Sequence, residues 1–140
     1  MAKKKIDVKL LNFGLYSQWD RESKEIPDFK KFTTTIPAQI GVEFGYILQI
    51  KKAKNKKIHF TIEHPPFRDS SGEIAPPFEG EVYINSNDYK FFLGDTIWEP
   101  VDDKVGIWRL ICRIDDQIVA DKSLEVVPEL ADNSDELSFW

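Results

Sequence analysis

The chain of 140 residues has a single cysteine, Cys112, and no long apolar run. One cysteine cannot form an intrachain disulfide, which is typical of proteins in a reducing compartment. No segment approaches the length of a membrane span or of a signal-peptide core. The sequence therefore predicts a cytoplasmic protein without a membrane partner, stabilised by its own hydrophobic core.

The chain also has no excess of basic residues. The net charge is −5, which argues against nucleic acid as a partner. This charge is unevenly distributed, with +7 over residues 1–60 and −12 over residues 61–140. One interpretation is that strands from the two halves pair and their charges intermix. The other is a two-sided surface that favours self-association.

The sequence lacks the motifs of common catalytic sites. It has no nucleophile elbow and no glycine-rich phosphate loop. The only histidines that could serve a nucleophilic centre are His59 and His64. Cys112 shares the parity of Trp108 and Leu110, which predicts a buried and unreactive thiol. We therefore predict no enzymatic activity and no bound cofactor.

Apolar and polar residues alternate through most of the chain, which is the pattern of half-buried β-strands. The clearest stripes cover residues 42–50, 58–62, 108–114 and 118–126. The last stripe is interrupted by Lys122. Near the start, the alternation changes parity between Leu10 and Leu11, which predicts either a β-bulge or a strand that crosses between sheets.

The connections between these stripes are polar. The lysine-rich segment Lys51–Lys57 predicts a solvated hairpin tip, and Asp115-Asp116 predicts a turn. Residues 64–80 contain four prolines and two glycines, which predicts a long loop.

About seven or eight strands with these turns predict an all-β fold. An antiparallel immunoglobulin-like β-sandwich is the favoured architecture, and a closed barrel is the alternative. We predict that residues 1–127 form the domain and residues 128–140 an acidic tail. Within the domain we expect Trp108 and Leu124 in the core, with Lys54 and Lys56 exposed.

Several short motifs occur in the order and spacing of a bacterial domain family. They are Asn12-Phe13-Gly14-Leu15-Tyr16, Ile36-Pro37-Ala38, Phe44-Gly45, His64-Pro65-Pro66, Trp98-Glu99-Pro100, Gly106-Ile107-Trp108 and Leu124-Glu125-Val126-Val127. Over about residues 5–127 the chain resembles the uncharacterised family known as domain of unknown function 3859. The resemblance implies an immunoglobulin-like sandwich and supplies no activity.

A metal site in the long loop would use His64, Asp69, Glu73 and Glu79, because hard cations bind loop carboxylates. However, residues 69–73 lack the dense alternation of acids in an EF-hand loop, and zinc needs more histidine or cysteine ligands. We favour a polar surface loop in which His64 fixes a turn, and we predict no metal site.

The leading functional prediction is a non-enzymatic binding or protein-interaction module, whose partner is another protein or a second copy of the chain. The alternative is a small-ligand or carbohydrate-binding sandwich. Candidates for a stacking platform are Tyr16, Trp19, Tyr83, Tyr89 and Trp98. The residues expected to contact a ligand or partner are His64, Trp98, Phe139 and Trp140.

The tail carries four acids and ends in Phe139 and Trp140. Burial of a large apolar side chain is favourable by about 1.5–3 kcal/mol, so we predict that both aromatics dock in a groove of their own domain or on another chain, for example a second copy. The alternative is a floppy terminus. If the aromatics dock, deletion of residues 129–140 should lower the melting temperature or the molecular mass in solution. No change in either, together with free access of a quencher to Trp140, would contradict this prediction.

Overall fold

The computed structural model describes residues 5–18 and 25–129. These residues form nine strands and one 3₁₀ turn, Asp102–Lys104. The strands are β1 (Asp7–Tyr16), β2 (Phe29–Phe32), β3 (Thr35–Pro37), β4 (Glu43–Lys51), β5 (Lys57–Glu63), β6 (Phe78–Tyr83), β7 (Asp88–Thr96), β8 (Gly106–Ile114) and β9 (Gln117–Val127).

The strands form two sheets with the orders β2-β1-β4-β7 and β3-β9-β8-β5-β6. The pairing is antiparallel except between β3 and β9. The even-numbered apolar stripe of β4 and the stripe of β8 share one buried core, in which Phe44 meets Trp108 edge-on at 5.2 Å. The predicted all-β sandwich is confirmed.

The core also contains polar atoms, and these are paired. The buried hydroxyl of Tyr46 on β4 donates a hydrogen bond to the carbonyl oxygen of Leu110 on β8 at 3.0 Å. Buried polar groups are costly unless they are bonded in this way. The bond therefore links the two sheets through the centre of the molecule.

The predicted bulge in β1 is confirmed. The register with β4 shifts between Leu10 and Asn12, so Leu11 is the extra residue. Val8 before the bulge and Phe13 after it both pack against the main core, whereas Leu11 packs against a smaller cluster of Tyr16, Ile47 and Phe92. The change of parity in the sequence thus marks the extra residue, and Val8 and Phe13 face the same core although one is even-numbered and the other odd-numbered.

Strands β8 and β9 join through the predicted turn at Asp115-Asp116. These residues have φ angles of 53° and 63°, and Ile114 and Gln117 form the last strand pair. A left-handed backbone at both central positions is the type I′ geometry, whose twist matches that of the flanking strands.

The prediction of a hairpin tip at Lys51–Lys57 was wrong. Strands β4 and β5 belong to different sheets, so this segment crosses between them. Ala53 in its middle is buried, and Lys54 is exposed as predicted. Lys56 is partly buried, with its ammonium 2.6 Å from the carboxylate of Asp115. Alternation alone could not reveal the crossing, because two successive strands can face one core from opposite sheets.

Lys122 explains the interruption in the last apolar stripe. It lies on β9 between the core-facing residues Ala120 and Leu124, and its ammonium sits 3.9 Å from the centre of the Phe13 ring on β1. A cation over an aromatic face is stabilised by the ring quadrupole. Lys122 on β9 thus contacts β1 of the other sheet at the position where it interrupts the apolar stripe.

Trp108 is fully buried, whereas the preceding residue Ile107 is 56 % exposed. Replacement of Trp108 by alanine should lower the free energy of unfolding by about 3–5 kcal/mol, through lost burial and an internal cavity. The matched change Ile107→Ala should alter it by no more than about 0.5 kcal/mol. Chemical denaturation of both variants measures the difference, and equal effects would contradict the core assignment.

Candidate functional site

The two predicted contact residues within the described ranges, His64 and Trp98, belong to one aromatic cluster. The imidazole of His64 stacks on Phe67 with ring centres 4.2 Å apart, and Phe67 meets Trp98 edge-on at 5.3 Å. Phe78 and Trp108 lie 4.8 and 5.7 Å from His64. Trp98 is the most exposed member, at 36 %. The other two predicted residues, Phe139 and Trp140, lie outside the described residues.

Lys104 fills the space beside this cluster. Its buried ammonium lies 4.4 Å from the centre of the Trp98 ring and 4.8 Å from that of Phe67. It donates a hydrogen bond to the carbonyl oxygen of Pro100 at 3.0 Å and pairs with the carboxylate of Asp103. Such partners compensate a charge for the loss of water. Lys104 thus occupies one face of the Phe67 and Trp98 rings, while Trp98 keeps part of its surface exposed.

His64 holds the ends of the long loop together. Its Nδ1 is 2.8 Å from the carbonyl oxygen of Pro65, and its Nε2 is 2.8 Å from that of Pro76. With a backbone oxygen beside each ring nitrogen and the ring stacked on Phe67, the geometry fits the predicted structural role.

The other residues of the alternative metal site do not gather around His64. The carboxylate of Asp69 accepts hydrogen bonds from the hydroxyl and the amide of Ser71, at 2.5 and 2.9 Å, and these bonds lower the pKa of Asp69. Within residues 5–18 and 25–129, no group of three or more potential ligands is arranged to hold a metal ion.

The single thiol is not an activated nucleophile. Cys112 is fully buried, and burial raises its pKa to about 11. Its sulfur lies 3.4 Å from the hydroxyl oxygen of Tyr46, within hydrogen-bonding reach. The predicted burial of Cys112 is confirmed, and a thiol with a raised pKa and no access to solvent is expected to be a poor nucleophile.

The proposed stacking platform is not assembled on one face. Tyr16 is buried beside Phe92 on the first sheet, whereas Tyr83 is exposed on an edge strand of the second. Tyr89 packs against the main core, and Trp19 lies outside the described residues.

Two surface clefts lie near the ends of strands. One, of about 460 Å³, is lined by Ala38, Val101, Asp102, Val105, Pro128 and Glu129. The other, of about 410 Å³, adjoins the buried Glu43, whose carboxylate accepts a hydrogen bond from the hydroxyl of Thr96 at 2.6 Å. Neither has the several aromatic walls that a carbohydrate or drug-like ligand favours.

Two of the four sheet edges are too short or irregular to accept another strand readily. Strand β2 has four residues, and its register with β1 shifts between Leu15 and Tyr16. Strand β3 has three residues and ends in Pro37, which has no N–H to donate. Short, bulged and proline-containing edges are the usual means by which proteins avoid strand addition.

The edge at β7 is longer but covered at its centre. The N–H of Ile97 donates to the carbonyl of Val42 at 2.9 Å, just beyond the β4–β7 pair. Along an antiparallel ladder only every second residue is hydrogen-bonded to the neighbouring strand. Because Ile97 is bonded to β4, Phe92, five residues earlier, turns its backbone N–H and C=O groups away from β4. Phe92 is nevertheless only 3 % exposed, so this edge is not accessible there.

The remaining edge, β6, is open along its length as far as residues 5–18 and 25–129 are concerned. The N–H of Ile84 donates to the carbonyl of Lys56 at 2.9 Å, which fixes the alternation of the β5–β6 ladder. By that alternation, Glu79, Glu81 and Tyr83 turn their backbone N–H and C=O groups away from β5. All three residues are exposed, and no strand in the described ranges pairs with this side.

A shallow groove of about 410 Å³ adjoins this edge. Its lining comprises His59, Phe60, Thr61, Glu79, Gly80, Glu81, Arg113 and Asp116. Glu81 lies 3.2 Å from Nδ1 of His59 and 3.5 Å from the ammonium of Lys57. The carboxylate of Glu79 has no cationic partner within 4 Å in the described part of the chain. We take β6 and this groove as the candidate site.

Sequence reasoning did not select β6. The signal was nevertheless present in Phe78-Glu79-Gly80-Glu81-Val82-Tyr83, where polar residues alternate with apolar ones and two acids share a face. What the sequence could not show is that β6 lies at an edge, because strand order depends on pairings between distant segments.

A comparison of the fold with solved structures identifies its class. An immunoglobulin-like protein from Pseudomonas aeruginosa has a similar crystal structure, with a TM-score of 0.71 and 21 % sequence identity over 90 % of this chain and 99 % of that chain. The two-sheet fold is thus immunoglobulin-like. No curated protein matches the sequence.

The family follows from the sequence itself. The model of the domain of unknown function DUF3859 matches residues 4–126, so the chain belongs to that family, as the motifs predicted. In the described residues no helix is long and apolar enough to cross a membrane.

Replacement of His64 by alanine removes the link between the two ends of the loop and the ring that stacks on Phe67. The variant should be less stable by about 1–3 kcal/mol, because the loop loses its hydrogen bonding and its aromatic packing. The control His59→Ala removes an exposed imidazole and should change stability by no more than about 0.5 kcal/mol. Thermal unfolding and metal analysis of both variants test the assignment. A bound metal ion that is lost only in His64→Ala would contradict it.

Proposed function

We propose that the chain is a non-enzymatic protein-interaction module that binds an extended segment of another protein as an additional strand on β6. The observation that carries the proposal is the open edge at Glu79, Glu81 and Tyr83, since the other three edges are short, irregular or covered. In strand addition, backbone hydrogen bonds supply much of the affinity and side-chain contacts supply the selectivity.

The rest of β6 is suited to this role. Phe78 and Val82 point inward and pack against the core, which holds the strand in place. The ring of Phe60 covers Gly80, and a side-chain carbon built at Gly80 would come within 2.5 Å of it. The inner face of β6 is thus held by the core, and its outer edge is unpaired within the described part of the chain.

The non-enzymatic part of the proposal has separate support. The paired titratable groups in the groove, His59 and Glu81, each have about half of their side chain exposed. An open sheet face does not exclude water, whereas most catalytic sites depend on a sheltered, preorganised environment.

The outward N–H of Glu79 provides a direct test. Proline at position 79 removes this donor without removing a bond of the β5–β6 ladder, and edge strands tolerate proline at such positions. Peptides selected from a displayed library of random heptapeptides on the unmodified chain should bind Glu79→Pro about tenfold more weakly. The control Glu79→Gln removes the charge and keeps the N–H.

The two variants must first be shown to melt at similar temperatures. If Glu79→Pro is unfolded, Glu81→Pro offers the same test at the next outward residue. Equal binding of the selected peptides to the proline and glutamine variants would contradict strand addition on β6, as would a selection that yields no specific peptide.

A further inference from the structure

The β6 edge lies in a strongly acidic part of the chain. Residues 63–83 contain five acidic residues and one arginine, Arg68. Two of the acids, Glu79 and Glu81, are exposed on β6 itself and separated by one residue. Side chains two apart on a strand share a face and are about 6.6–6.8 Å apart along it.

We infer that the partner segment carries lysine or arginine at alternate positions and apolar residues between them. The inference rests on the proposed function and specifies its partner. A strand added to β6 would place one set of side chains beside Glu79 and Glu81, and the other set beside Phe78 and Val82 on the core side. The basic set complements the carboxylates, and the apolar set extends the covered core.

The two glutamates should contribute unequally. Glu81 already has Lys57 and His59 within 3.5 Å, whereas Glu79 has no cation within 4 Å in the described residues. An incoming basic side chain therefore gains more from Glu79. Loss of an exposed ion pair commonly changes affinity by roughly two- to fivefold, so Glu79→Gln should approach the upper value and Glu81→Gln the lower.

A second copy of β6 is a poor occupant of the same edge. Antiparallel pairing of two β6 strands brings the glutamates of one copy next to those of the other, and like charges opposite each other destabilise a sheet. The basic edge strand β2, which carries Lys30 and Lys31, is four residues long with a shifted register. The repulsion between two β6 strands and the short, irregular β2 edge both favour a partner other than a second copy of this chain.

Three matched peptides test the inference on the full chain. Each is capped at both ends, with the sequence Thr-Lys-Val-Lys-Val-Lys-Thr, the same sequence with glutamine for lysine, or the same with glutamate for lysine. Titration into the ¹⁵N-labelled protein reports the amide shifts of Glu79, Glu81 and Tyr83. The control variant is Glu125→Gln, an exposed acid on β9, which is separated from β6 by two strands.

The lysine peptide should bind at least threefold more tightly than the glutamine peptide at low ionic strength, and 0.5 M salt should reduce that advantage because exposed charges are screened. Glu79→Gln should weaken the lysine peptide alone, and Glu125→Gln should weaken none.

Equal binding of the lysine and glutamine peptides at β6 would overturn the basic partner and leave strand addition intact. No shift at β6 with any peptide would overturn both. A dimer that forms without peptide and dissociates in Glu79→Pro would assign the edge to a second copy and would also overturn the inference.

Discussion

The packing of Trp108 is the constraint on which the rest of the molecule depends. Its ring lies against Phe44 of the opposite sheet, and its indole Nε1 donates to the carbonyl oxygen of Lys104 at 2.8 Å. The same ring contacts His64 and Phe67 of the long loop. The side chain of Trp108 thus contacts both sheets, the 3₁₀ turn and the loop. Its Nε1–H is hydrogen-bonded, and most of the remaining indole surface is in apolar contact.

The candidate site depends on this packing through the loop that precedes it. His64 contacts the carbonyl oxygens of Pro65 and Pro76 near the two ends of the loop, and Phe78 enters the aromatic cluster at the first position of β6. The start of β6 is therefore fixed by contacts on its core side. Its outer edge is left unpaired because no strand of the described chain follows it in the sheet order. Rigidity on one side and unpaired backbone on the other are the conditions for strand addition.

Periodicity predicted most of the fold, because alternation directly reports which side chains are buried. It located the bulge at Leu11, the turn at Asp115-Asp116 and the burial of Trp108. It missed β2 and β3, whose three or four residues are too short to show a period. Lys104 was also missed, since its burial depends on aromatic rings distant in sequence. The sequence alone shows that Glu79 and Glu81 share a face of one strand. It does not show that β6 lies at an open edge, because strand order depends on pairings between distant segments.

Residue-resolved amide hydrogen exchange along β6 tests the central claim most directly, because exchange reports which N–H groups are already bonded. In the free chain the amides of Glu79, Glu81 and Tyr83 should exchange rapidly, whereas those of Gly80 and Val82, which pair with β5, should be protected. A bound strand should slow the three outward amides and leave the inward ones unchanged. Uniform protection of β6 in the free chain would show that the edge is already occupied and would contradict the account.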